Sequence, residues 1–157
     1  MTLPVEIPPE PVAFVLETRP KSAQSKGKKE KYSAQFSDAA KKLILTSPHF
    51  ASGDLYLRVV YLFRGSFRID VDNILKPIAD AMRSVVYKDD ASIVKCCAHR
   101  VDIGTSYTLV DRALSAEKYS ELLTLISKSE HILVVEVGLM PGGDVAFGPI
   151  DAREVKA

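Results

Sequence analysis

The stretch Arg68–Met82, RIDVDNILKPIADAM, decides the reading of this chain because its hydrophobic period changes midway. Up to Asp72 the residues alternate: Ile69 and Val71 share one side of an extended chain, and Arg68, Asp70 and Asp72 share the other. Beyond it, Ile74, Ile78, Ala81, Met82 and Val85 recur at helical spacing, with Asn73, Lys76, Asp80 and Arg83 on the opposite side. The pattern predicts a strand over residues 66–72 that runs straight into an amphipathic helix over 73–86, with Asn73 as its cap. Pro77 then falls close to the helix start, where the missing N–H removes one backbone bond at the helix edge.

The acids in this stretch suggest chemistry. At a strand end, Asp70 and Asp72 project the same way, about 7 Å apart along the chain. Carboxylates that close repel unless a cation or a proton joins them. Oxygen-only ligands suit Mg²⁺, Mn²⁺ or Ca²⁺, and Mg²⁺ completes its shell with phosphate and water. The three histidines, His49, His99 and His131, include no i,i+4 pair, so a helical zinc-protease motif is absent. Lys76 stands four residues after Asp72 and four before Asp80, on one helix face, where an ammonium can meet a phosphate. Asp89 and Asp90 follow at the next turn, and spacing alone leaves open whether that turn returns to the first two acids. Each feature has a plainer alternative: helix capping for Asp70 and Asp72, and an i,i+4 ion pair for Lys76 and Asp80. A nucleotide-sugar site is disfavoured, since the chain has neither the length nor the Gly-rich turn of such domains.

Working outward, VAFVLET (12–18) reads as a strand and DLYLRVVYLFRG (54–65) as another, with Leu55, Leu57, Val59 and Tyr61 on one face. SDAAKKLILTS (37–47) reads as a helix capped by Ser37, and SIVKCCAHRVDIG (92–104) as a central strand. Residues 115–130 read as a helix capped by Ser115, with Leu122, Leu125 and Ile126 inward, and 131–143 as a last strand. Cys96, Cys97 and Met82 are expected in the core. Residues 1–11 and 143–157 are expected to be irregular tails of one domain spanning 1–157.

The 157 residues, 46% hydrophobic and 26% charged, suit one globular core. No apolar run is long enough to span a bilayer, and the first residues lack the pattern of a secretory signal, so no membrane association is expected. Adjacent cysteines cannot build a disulfide framework, which suits a reducing cytoplasm. The net charge of +1 hides an asymmetry: Lys21, Lys26, Lys28, Lys29 and Lys31 crowd one polar loop, ahead of the acidic centre. That loop is either a solvated segment or a phosphate-binding arm.

The segment DVDNILKPIADAM, followed by YKDDASI, resembles the RusA family of Holliday junction resolvases. The family signature is D-x-D-N-x-x-K-x-x-x-D-[AG]-[LM], then an Asp-Asp turn and a strand, and seven fixed positions stand in register. The order of strand, basic loop, helix and strand before it fits as well, so the resemblance spans most of residues 12–103. It implies an α+β (mixed α/β) fold, a single small domain with a mixed sheet packed against helices. It also implies a homodimer that cuts four-way, branched DNA with Mg²⁺, for which Mn²⁺ can substitute. By position, Asp70, Asp72 and Asp90 match the metal-binding acids, with Asp89 the alternative if the turn shifts, and Lys76 matches the active-site lysine. Asn73, Asp80 and Asp89 match supporting positions. The lysines of the loop and Arg68 become the expected DNA contacts. A non-catalytic DNA-binding or assembly module, and a nuclease for other branched DNA or for RNA, are the competing readings.

Overall fold

A computed structural model of the chain describes residues 10–20, 34–35, 38–39, 49–65, 69–109, 114–141 and 147. Four strands form one mixed sheet: β1 (Val12–Leu16), β2 (Leu55–Phe63), β3 (Ile93–Asp102) and β4 (His131–Leu139), in the order β1-β4-β2-β3. β4 runs antiparallel to both β1 and β2, and β2 runs parallel to β3. A parallel pair needs a crossover, and helix α1 (Val71–Met82) supplies it. Helix α2 (Ala116–Lys128) leads into β4. The result is a small α+β domain with a helix on each face of a mixed sheet.

Alternation explains the two cores. Leu55, Leu57, Val59 and Tyr61 of β2 are all buried on the face predicted for them, beside Leu133, Val135 and Val137 of β4. Ile74, Ile78, Ala81 and Met82 of α1 seal this larger core, with Met82 buried as expected. On the opposite face, Val15, Leu62 and Ile132 meet Leu122 and Ile126 of α2, while Leu125 is only partly buried. Ser115 caps α2 as expected, its hydroxyl accepting the Lys118 N–H at 3.2 Å.

Three expectations fail. The strand over 92–104 is not central: among the described residues β3 pairs only with β2 and forms an edge. The cysteines on it are therefore not core residues; Cys96 is exposed and Cys97 half-buried. No strand stands at Ile69 or Asp70, and α1 already begins at Val71. Of the helix predicted over 37–47, Asp38 and Ala39 are helical, but so are Ala34 and Gln35, ahead of the Ser37 cap. The other residues of that segment lie outside the described ones, as do the tails apart from Glu10, Pro11 and Phe147.

Candidate active site

The start of α1 explains why the acid pair misleads a strand reading. Asp70 is the N-cap, in extended backbone with φ −68° and ψ 135°, and Asp72 lies in the first turn. Carboxylates suit both places, because unpaired N–H groups and the positive end of the helix dipole lie there. A continuous strand would bury Ile69 and Val71 together; instead Ile69 is buried and Val71 is 40% exposed. The strand geometry that would aim Asp70 and Asp72 the same way is therefore not formed. Asn73 is not the cap; it is the third helical residue, and its N–H bonds to the Asp70 carbonyl at 3.0 Å.

Asp70 departs from ordinary capping, since its side chain accepts no hydrogen bond from the helix. Neither Asp70 nor Asp72 makes an ion pair among the described residues. Both are exposed at the mouth of the helix. Pro77 sits at the seventh helical position, deeper than predicted, and leaves the Asn73 carbonyl without its usual i+4 donor. Its buried ring joins the side of α1 that faces the sheet.

The far end of α1 brings the next acids back. The helix stops at Met82, short of the predicted residue 86, because Ser84 turns the chain with φ +68°. The backbone of the reversal is satisfied locally: Val86 N–H bonds to the Met82 carbonyl and Ser84 N–H to the Tyr87 carbonyl. Tyr87 is buried, and its hydroxyl donates to the Ala79 carbonyl, which pins the turn against the helix. Burial pushes the Tyr87 phenol well above its ordinary value, so it stays a donor. The chain then passes Asp89 and Asp90 into a short 3₁₀ turn, Asp90–Ser92, and on to β3.

The choice between Asp89 and Asp90 now has a structural side. Asp89 caps the 3₁₀ turn, its carboxylate accepting the Ala91 N–H at 3.2 Å. Asp90 reaches the exposed stripe of α1 instead. Its Oδ1 lies 2.8 Å from Arg83 Nη2 and its Oδ2 3.7 Å from Lys76 Nζ. Lys76 Nζ also donates to Asp80 Oδ1 at 2.8 Å, and Arg83 Nη2 lies 3.8 Å from the same oxygen. The four groups close a ring of alternating charge, on the stripe that Asp72 begins one turn before Lys76.

Their electrostatics follow. The hydrogen bond to Asp80 and then its charge hold the Lys76 ammonium above its ordinary value. The charge of Asp90, then its hydrogen bond, does the same for the Arg83 guanidinium. A hydrogen bond with Asp89, together with the charges of Arg83 and Lys76, keeps Asp90 below the ordinary carboxylate range. Arg83 is the member of the ring to which the sequence reading gave no role. Its signal was present, since it stands seven residues after Lys76 and three after Asp80, on the same face.

The expected metal ligands fit a hard divalent cation in donor type but not in placement. Among the described residues no three acids, histidines or cysteines converge into a set that could hold a metal. Asp70 is the N-cap of α1 and Asp72 lies in its first turn, while Asp90 pairs with two cations further along the helix. The expected DNA contacts Lys21, Lys26, Lys28, Lys29, Lys31 and Arg68 lie outside the described residues.

Fold and site together define a small mixed-sheet protein whose β2–α1–β3 crossover carries a stripe of acids and bases. The profile of the family described as endodeoxyribonuclease RusA matches residues 3–110, well over half of the chain, and the protein belongs to that family. Membership implies a junction-resolving endonuclease with branched DNA as its class of substrate. A comparison with curated proteins found no match. No described helix is long and apolar enough to cross a membrane.

Proposed function

We propose that the protein is a Mg²⁺-dependent endonuclease that resolves four-way DNA junctions by paired phosphodiester hydrolysis, in recombination and repair. The observation that carries this reading is the charged stripe on α1, joined by Asp90, inside the region matched to the family. Asp70, Asp72 and Asp90 are the proposed holders of Mg²⁺, with Mn²⁺ as a substitute. When bound, such an ion neutralises charge that develops on the phosphate and lowers the pKa of attacking water.

The chain's own groups have separate tasks. Asp80 holds the Lys76 ammonium on the exposed side of α1, 63% exposed, where it can donate to a phosphate oxygen. Asp89 fixes the turn from which Asp90 projects. Asp70 and Asp72 present carboxylates that the helix does not consume in capping. Lys21, Lys26, Lys28, Lys29, Lys31 and Arg68 would hold backbone phosphates, with affinity that falls as salt rises. Two copies related by a two-fold axis would present two sites to a junction of matching symmetry. A cytoplasmic location goes with this role.

One observation favours a second reading. Because Asp90 is paired with Arg83 and Lys76, the protein could bind junctions without cutting them. A single assay separates the two: labelled four-way junction, duplex and single strand, with Mg²⁺ or EDTA, for the wild type and Asp72→Asn. Loss of cleavage on the order of 10²-fold or more, with junction binding retained, is expected for the variant. Cleavage that survives in Asp72→Asn would remove the site assignment. A wild type that binds junctions and cuts nothing would establish the binding module.

A further inference from the structure

We propose that Arg83 is a positioning residue that occupies Asp90 in place of a divalent cation, so that loading the site is a competition between the cation and a guanidinium. The inference rests on the metal-dependent reading above. It starts from the mismatch between the expected ligands and their placement. Both Asp90 oxygens face positive charge, Oδ1 toward Arg83 at 2.8 Å and Oδ2 toward Lys76 at 3.7 Å. Arg83 engages Oδ1, and two positive groups this close to the carboxylate repel a divalent cation that approaches either oxygen.

The two cations are not equivalent. Lys76 leans on Asp80 and touches Asp90 only loosely, whereas Arg83 makes its shortest contact with Asp90 and reaches Asp80 only at 3.8 Å. Releasing Asp90 therefore means displacing Arg83 first. Arg83 is 47% exposed and caps the last turn of α1, so its side chain can swing into solvent without opening the core. Asp80 has the opposite effect on the competition. It shares both cations, and removing it turns them fully onto Asp90.

Mn²⁺ binding to the DNA-free protein, followed by calorimetry or by the signal of free Mn²⁺, tests this without any turnover. Arg83→Gln should tighten Mn²⁺ binding about three- to fivefold, a modest factor because the pair is exposed and screened. Asp80→Asn should weaken it by a similar factor. Lys88→Gln supplies the control, since Lys88 stands two residues from Asp90 in the chain and in no ion pair among the described residues. It should leave binding unchanged; a gain equal to that of Arg83→Gln would reduce the effect to net charge and overturn the proposal. Unchanged or weaker binding in Arg83→Gln would overturn it as well. If wild-type Mn²⁺ binding does not depend on Asp72 and Asp90, the metal site itself falls and the competition with it. That result is distinct from Asp-dependent binding that ignores Arg83. Should Arg83→Gln lower the melting temperature sharply, Arg83→Lys, with its single compact donor, is expected to give an intermediate gain.

Discussion

Helices α1 and α2 have nearly the same length and lie on opposite faces of one sheet, yet they are built by different rules. Helix α2 obeys local preferences at its cap and in the charges of both end turns. Ser115 caps it, Glu117 lies in its first turn and Lys128 in its last. Arg64 from the end of β2 closes its C-terminus, donating to the Ile126 and Ser129 carbonyls at 2.7 Å each. Helix α1 breaks several of the same preferences. Its N-cap Asp70 does not cap, Pro77 interrupts its ladder, and Ser84 ends it in a conformation that favours glycine. Apart from the buried Ser129 hydroxyl at its C-cap, which has no hydrogen-bond partner among the described residues, α2 carries no such conflict, and local conflict concentrated in one element is the pattern expected where function constrains sequence. The surface pair Lys118–Glu121 on α2 shows what ordinary charge looks like: one contact at 3.1 Å and no further ion pair among the described residues. On α1 every charge of the ring has two opposite neighbours.

If α1 is held by its core and α2 by its local fit, truncation should tell them apart. Ile78→Ala, at a fully buried α1 position in the larger core, should cost about 3–5 kcal/mol. Ile126→Ala in the smaller core under α2 should cost less, about 2–3 kcal/mol, in the same urea titration. Equal losses, or the reverse order, would break the contrast. Capping should run the other way. Ser115→Ala removes a formed cap and should cost about 1 kcal/mol, whereas Asp70→Ala should cost no more than about half of that. Junction cleavage should respond oppositely, collapsing in Asp70→Ala and surviving in Ser115→Ala.

The smallest effect concerns pH. The folded state holds Asp90 below its ordinary value of 3.8, so its contribution is complete above that value and fades as the pH falls below it. Lys76 is held above its ordinary value of 10.5, so its contribution is complete below that value and fades only at higher pH. The gap in melting temperature between wild type and Asp90→Asn should be flat from about pH 5 to pH 9 and close below about pH 4. A gap that changes near neutrality would show that another group controls the ring.

Much of this was legible in the residues. The alternation of Leu55, Leu57, Val59 and Tyr61 fixed the face of β2, and the spacing of Ile74, Ile78 and Met82 fixed the buried side of α1. The family motif was readable too, since it lies in one short segment whose residues keep fixed offsets along a helix. The start of α1 was not. Ile69 followed by Val71 alternates like a strand, and only packing shows that Val71 points to water. Nor could sequence place β3 at an edge, because exposure of Cys96 depends on which strands lie beside it.

By itself, then, the sequence determined the type of most elements, the buried sides of β2 and α1 and the family, because each depends on periods or offsets within one segment. Only the tertiary structure decided that Asp90, and not Asp89, meets Lys76, and that Arg83 makes the shortest contact with Asp90. Those contacts depend on a chain reversal at Ser84 and on a buried tyrosine that ties the turn to α1. The direction in which a turn returns is set by what it packs against, and a one-dimensional pattern does not carry that information.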